Sequence, residues 1–327
     1  VTGEVSKHDP KRMCANITEC GIEATEQGIE LVSRFVNDIC VGDQDLMDAL
    51  QIFLGYSING GNPEEVFCFW SGKGLNGKST MTKVLLNILG GYAHSLQSEV
   101  ILESRNERSP WALEDMKGAR IAAIAEPSSF KRLDREFLKT TSSCEPVMVA
   151  RKHQNQYAMI PTFTMIICTN TKPQLEFDEA IMRRIAVIPW MQVLEREKAD
   201  KKLDQKLTAA GSSLLAWLIQ GSVDYHARGS LIYTESMNQA LTEYVEENDS
   251  LQRFLNERTQ RDEMNTEYVL STKLSQAYGE WAKDTGAGQL RHQQLVQKMR
   301  AKGFEISDCG SMRHKGFKGL ILLDGDK

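Results

Sequence analysis

The segment Gly72-Lys73-Gly74-Leu75-Asn76-Gly77-Lys78-Ser79 matches the spacing G-x-x-x-x-G-K-[ST] without deviation. Glycines at these places let backbone N–H groups converge on phosphate oxygens, and a following helix turns its positive end to the same point. Lys78 then reaches the β- and γ-phosphates of a nucleotide, and the Ser79 hydroxyl ligates Mg²⁺. The same spacing also arises by chance in loops that hold nothing; a strand before it and a helix after it make the difference. Val66-Phe67-Cys68-Phe69-Trp70 supplies the strand, and Met81, Val84, Leu85, Ile88 and Leu89 supply the helical period.

Other residues could complete the chemistry. Glu126 ends the apolar run Ile121–Ala125, where an open α/β sheet places its ligands. A carboxylate there polarises an attacking water or holds Mg²⁺ through water; a strand-end Glu can equally face solvent. The preceding residue is Ala125, so metal ligation rests mainly on Ser79, the phosphates and water. Asn170 ends the run Thr164–Thr169 and suits a water-orienting or γ-phosphate-sensing amide, or simply a turn. Arg183 and Arg184 precede a further strand. An arginine on a rigid element suits a finger that acts on a neighbouring subunit's ATP, although ion pairs with Asp178 or Glu179 would account for both. Arg151, Lys152 and His153 sit in the polar stretch of a hairpin-like segment, Val147 to Phe163. A basic tip can track a phosphate backbone; it can also be a solvated loop.

These residues need a frame. Buried-strand runs at 66–70, 121–125, 164–169 and 185–189 alternate with helical patterns, which predicts an α/β layout with a mostly parallel sheet. Ser109-Pro110-Trp111 reads as a helix start, with the helix ending near Gly118. Further helices are expected over Asp134–Thr141 and Leu207–Ile219. We divide the chain into a linker, 1–24; a helical subdomain, 25–62; an ATPase core, 63–245; and a C-terminal domain, 246–327. In the last, helical patterns at Leu251–Leu255, Leu274–Trp281 and Leu295–Met299 precede short strands at Phe304–Ile306 and Gly319–Leu323, which suggests a winged helix.

The 327 residues are 41% hydrophobic and 25% charged, enough to bury a core without disulfides or structural metals. Seven cysteines show no C-x-x-C spacing, so we expect a reducing, intracellular compartment, the cytoplasm. No apolar run is long enough for a transmembrane helix, and no membrane partner is expected. The net charge of −5 argues against indiscriminate nucleic-acid binding while allowing a local basic patch. The start at Val1 rather than Met suggests a longer parent polypeptide.

The order of parts is similar to that of superfamily 3 DNA helicases: G-L-N-G-K-S-T through Thr80, strand–Glu126, basic hairpin, strand–Asn170, then R-R-I. The nearest likeness is to the phage/plasmid primase–helicase family that includes the poxvirus primase–helicase. Leu46–Gln51 with Leu54-Gly55-Tyr56 resembles that family's helical lead-in, and Asp178–Ile185 its segment after the sensor. The resemblance implies a P-loop NTPase core of AAA+ type, assembled as a ring, usually a hexamer, with ATP and Mg²⁺ between subunits. It implies that the Gly72–Thr80 loop binds nucleotide, with Gly74, Asn76 and Gly77 in it. Lys78, Ser79 and Glu126 would act from one subunit, with Asn170 as sensor. Arg184 would be the neighbour's finger, and Lys139 a second cation able to reach across. Arg151, Lys152 and His153 would grip single-stranded or forked DNA. A primase–polymerase, as a domain or a separate protein, is the implied partner.

The function expected is therefore ATP-driven DNA unwinding during replication of a virus, phage or mobile element. A ring ATPase that remodels protein is the alternative; a basic rather than aromatic hairpin tip argues against it. An origin-binding module that uses ATP only for assembly, and a small-molecule kinase, are further alternatives.

Overall fold

Thr25 opens the first helix. Its hydroxyl accepts from the Gly28 N–H at 3.1 Å, and α1 runs Glu26–Cys40. Asp43 caps α2, Gln44–Ser57, through the Leu46 N–H at 3.1 Å. Each such cap is worth about 1 kcal/mol. The computed structural model describes all residues except 1, 2, 4, 5, 8, 13, 105–108, 110, 129, 130, 153, 194–198, 263, 265, 310–313 and 324–327. The chain divides into two compact units, Val1–Thr242 and Glu243–Lys327.

After the two helices the first unit alternates strands and helices. In order come β1 (Phe67–Ser71), α3 (Lys78–Leu89), β2 (Ala93–Leu96), β3 (Ile121–Ala125), α4 (Arg135–Ser142), β4 (Val147–Val149), β5 (Tyr157–Met159), β6 (Thr164–Thr169), α5 (Glu179–Met182) and β7 (Ile185–Pro189). The helices α6 (Leu203–Ala209) and α7 (Gly211–Arg228) follow, and α8 (Glu235–Asn248) begins in this unit and ends past Thr242. Five strands make one parallel sheet in the order β2-β3-β6-β1-β7. Its central strand β6 is buried at every residue, as a two-sided parallel strand must be. The fold is thus α/β with a parallel sheet, as the alternating pattern predicts.

The first helices share the sheet's core. Val32, Phe35, Val36 and Ile39 of α1 recur at helical spacing and join Leu50, Trp70, Val84, Ile188 and Leu218 in one buried cluster. The crossing of α2 and α7 is close because both present glycine: a Cβ on Gly55 would collide with the Gly221 and Ser222 backbone.

Some local expectations change. The helix expected from Ser109 to Gly118 is only a 3-10 turn, Glu114–Met116; Pro110 lies outside the described residues. The helix expected over Leu207–Ile219 is two helices, because Ala210 leaves helical geometry at ψ 19°. The edge strand β2, Ala93-His94-Ser95-Leu96, carries too few branched apolar residues to announce itself.

The second unit contains α9 (Ser250–Arg258), β8 (Thr259–Arg261), β9 (Tyr268–Leu270), α10 (Ser271–Thr285), α11 (His292–Ala301), β10 (Ile306–Cys309), β11 (His314–Lys318) and β12 (Leu320–Leu322). The three strands β10-β11-β9 form one antiparallel sheet, and β12 pairs with β8. Phe254, Tyr278, Trp281, Leu295, Met299 and Phe317 fill its core. A helix, two short strands, two helices and a hairpin followed by one more strand give a winged-helix-like arrangement.

Candidate active site

Parallel register brings the chemistry to one edge of the sheet. Ser71 pairs with Thr169 across β1 and β6, and Ala125 pairs with Cys168 across β3 and β6. Gly72, Asn170 and Glu126, each the next residue, therefore leave the carboxyl ends of three adjacent strands together. β6, the Asn170 strand, hydrogen-bonds to both β1 and β3 and lies between the loop's strand and the Glu126 strand.

The loop is shaped by backbone that only small residues allow. A Cβ at Gly72 would collide with the Asn76 side chain and the Trp190 carbonyl. Gly77 has φ 92° and starts α3; a Cβ there would lie 3.1 Å from the Phe35 ring. Asn76, almost fully buried, donates to the Trp190 carbonyl at 3.3 Å. The Trp190 backbone N–H donates to the Ser71 carbonyl at 2.7 Å, and its ring packs on Trp70 with centroids 4.8 Å apart. Gly74 faces open space, and Ser79 is exposed on the first turn of α3 with Thr80 half-buried beside it.

Lys78 is the electrostatic centre. It is 4% exposed. Its ammonium donates to the Gly72 carbonyl at 2.6 Å, to Asn76 Oδ1 at 3.1 Å and to Asn170 Oδ1 at 3.0 Å. All three acceptors are neutral. Burial lowers its pKa below the ordinary lysine value, and nearby Cys168 and Glu126 offset that only in part. A desolvated cation held by neutral oxygens is a site that an anion completes.

Asn170 joins Lys78 to the carboxylate. Its Nδ2 donates to Glu126 Oε1 at 2.6 Å while its Oδ1 accepts from Lys78. Glu126 is exposed and has φ 41°, a conformation that costs a non-glycine residue about 1–3 kcal/mol and concentrates at functional sites. The turn is held by the Glu126 N–H on the Cys168 carbonyl at 2.9 Å.

The residues therefore fit a nucleotide with a divalent cation. The loop amides and Lys78 suit the phosphates. Among the described residues no three His, Cys, Asp or Glu side chains cluster to hold a metal by themselves. The ion would be held by Ser79, by phosphate oxygens and, through water, by Glu126.

The outlying cations are placed differently from expectation. Arg184, expected to reach a neighbouring subunit, is turned inward with its side chain 8% exposed. It donates to the Glu65 carboxylate, to Ser143 Oγ at 2.8 Å and to the Ala180 carbonyl at 3.1 Å. Its Nε is buried without a hydrogen-bond partner. Arg183 is the exposed member of the pair, 65% accessible and 3.8 Å from the same Glu65. Lys139 is committed to Asp178 at 2.9 Å, and Arg135 shares that carboxylate at 3.3 Å. Desolvation alone would raise the Asp178 pKa, but the Lys139 hydrogen bond, the Ile181 N–H and Arg135 outweigh it and lower it. In the β4–β5 hairpin, Arg151 bonds Glu114 at 2.6 Å. Lys152 is exposed and has no ion-pair partner among the described residues. His153 lies outside the described residues.

Two residues that position the site escape sequence reasoning. Trp190 frames the loop only because β7 pairs with β1, and a residue after a strand gives no sign of which strand lies beside it. Glu65 has φ 54° and sits far from Arg184 in sequence.

Residues 70–184 match the family described as a family of unknown function, DUF5906. Two viral proteins, each named a putative helicase, are similar over longer stretches. The one from Acanthamoeba polyphaga mimivirus is 23% identical over 296 residues, covering 84% of this chain and 31% of that protein. The one from Frog virus 3 (isolate Goorha) is 22% identical over 227 residues, covering 63% of this chain and 23% of that protein. The chain thus spans under a third of the length of the curated relatives it matches. Among solved structures, the A form of the apo NrS-1 C terminal region superposes with TM-score 0.56 at 15% identity, covering 98% of this chain and 79% of that one. A second structure of that region, residues 305–718, gives TM-score 0.54 at 15% identity, covering 97% and 79%. The chain is a sequence relative of viral proteins named as helicases, and it shares the fold of the NrS-1 region. Among the described residues no helix is long and apolar enough to cross a membrane.

Proposed function

We propose that this chain hydrolyses ATP to drive movement along single-stranded DNA, as a ring of identical copies that unwinds forked duplexes during replication of a virus or mobile element. One observation carries it: Asn170 ties the buried ammonium of Lys78 to the carboxylate of Glu126 at the end of a parallel sheet. Lys78 and the loop amides bind the phosphates. Glu126 orients the attacking water, and Asn170 reports whether Lys78 is engaged. Mg²⁺ supplies charge neutralisation on the β- and γ-phosphate oxygens when bound.

The cation acting from the next subunit is Arg183, since Arg184 is committed to Glu65 and acts as the residue that positions it. Lys139 is a second candidate once released from Asp178. Lys152 tracks the strand. A primase–polymerase, as a domain of the same polypeptide or a separate protein, is the proposed partner.

The test is ATP hydrolysis with and without single-stranded DNA, alongside unwinding of a forked duplex. Turnover that DNA stimulates, coupled to strand separation and abolished in Lys78→Ala, is expected. Turnover unchanged in Lys78→Ala would overturn the site. DNA-independent turnover without unwinding, in a sample shown to be a ring, would move the assignment to protein remodelling.

A further inference from the structure

Three helices of the first unit enclose a cleft that the proposed ATP site does not use. It lies between α1, α2 and α7 and has a volume of about 310 Å³. Val32 and Val36 of α1, with Met47 of α2 and Trp217 of α7, give it an apolar floor. Ile29, 54% exposed, stands at its lip. An apolar hollow edged by an exposed large aliphatic is the kind of surface that a partner covers.

The polar rim is acidic. Asp48 of α2 lines the cleft and accepts from Gln44 Nε2 at 2.7 Å. On α7, Ser213, Trp217 and Gln220 line it at spacing i, i+4, i+7. Asp224 continues that stripe one turn further and accepts from Gln220 Nε2 at 2.8 Å. The amides fix where these carboxylates point, and among the described residues no cation neutralises either. Together the three helices carry six carboxylates, two arginines and no lysine, and Arg34 is already paired with Glu30 at 2.8 Å.

We propose that this cleft docks a basic amphipathic helix of a partner protein, with its large apolar side chains in the hollow and its lysines or arginines on Asp48 and Asp224. The charge selects the sign of the partner. Oriented, uncompensated carboxylates at a rim attract lysine and arginine and repel acidic chains and nucleic-acid phosphates. The hollow selects its other face, since an apolar centre inside a polar rim is the anatomy of a protein interface. The length agrees with a helix: Ser213 to Asp224 spans about 16 Å along α7, about three turns, which is the reach of apolar anchors at i, i+4 and i+7. None of the lining residues belongs to the Gly72–Thr80 loop, and neither Glu126 nor Asn170 is among them. The proposal therefore stands or falls independently of the ATPase reading.

The test is fluorescence anisotropy of the full chain with three labelled synthetic helical peptides of about 16 residues, long enough to cover the stripe. The first carries leucine and tryptophan on one face and lysine and arginine on the other. The second has glutamate in place of the basic residues, and the third has alanine in place of the apolar ones. Only the first should bind, and less tightly as salt rises. Asp48→Lys/Asp224→Lys should weaken it by about tenfold or more. Ser33→Trp, at an exposed position that lines the cleft, should block it, and both variants should keep the wild-type melting temperature. Glu280→Lys, a charge reversal on α10, should bind as the wild type does, which separates the cleft from general attraction to an acidic chain. No binding of the basic peptide, equal binding of either control peptide, wild-type affinity in either cleft variant, or equal weakening in Glu280→Lys would each overturn the proposal. Self-association of the wild type that Ser33→Trp alone dissolves would give the cleft to a second copy and overturn it as well.

Discussion

Arg184 rests on the Glu65 carboxylate while its neighbour Arg183 points outward from the same acid. Breaking that inward contact leaves Ser143 Oγ and Glu65 without their donor. Arg184→Ala should lower stability by about 1–3 kcal/mol, read as a fall in melting temperature. Arg183→Ala should leave the melting temperature nearly unchanged and remove turnover only in assembled protein. Rings mixing Arg183→Ala with Glu126→Gln should regain activity where an intact Glu126 meets an intact Arg183. Absence of recovery in well-formed mixed rings would exclude Arg183 from action between subunits.

The Asn170 amide makes two contacts of opposite sense, accepting from Lys78 and donating to Glu126. Asn170→Ala should lower kcat by roughly 10²-fold, the scale of losing one preorganised polar group, with a smaller change in KM. Asn170→Asp should be at least as damaging, because a carboxylate cannot donate to Glu126. Steady-state kinetics decides, and an unaffected kcat would remove Asn170 from the site.

Lys78 carries a depressed pKa through burial, which gives ATP binding a signed pH dependence. Bound phosphate favours the ammonium form, so the pKa of Lys78 rises on binding and a proton is taken up at alkaline pH. Affinity should be full below the free-protein pKa and fall as pH climbs through it, a window beginning below the ordinary lysine value of about 10.4. Titration with a fluorescent ATP analogue should show this fall in the wild type. The weak residual binding of Lys78→Ala should be flat over the same range.

Lys152 is exposed while Arg151 is held by Glu114. Lys152→Ala should abolish stimulation of turnover by single-stranded DNA and leave basal turnover intact. Arg151→Ala should have the smaller effect on DNA, its guanidinium being already occupied. Intact single-strand binding by Lys152→Ala, measured by anisotropy, would place the grip elsewhere.

Much of this site could be read from the chain because its frame is local and repetitive. Runs such as Thr164–Thr169 and Ile185–Pro189 are strands with those bounds in the structure, since residues buried on both faces leave an unbroken apolar signature. The loop announces itself because its glycines and Lys78 must stand at fixed spacing. Side-chain partners distant in sequence were not legible. Glu65 and Arg184 lie 119 positions apart, and nothing in R-R-I tells which arginine turns inward. Edge strand β2 was missed because it is short and half-polar. In the C-terminal unit three helices were visible, yet β8 and β11, short and polar or mixed, and β9, only three residues long, were not.

The position of β6 between β1 and β3 has a mechanical consequence. Two inter-strand spacings, roughly 9.5 Å, separate the strand bearing the loop from the strand bearing Glu126, and that span is set by backbone ladders with no loop in series. The sheet acts as a ruler of fixed length between the Gly72–Thr80 loop and Glu126. In the proposed turnover cycle, motion is then taken up by the parts outside the ruler: the β4–β5 hairpin and the segment that carries Arg183.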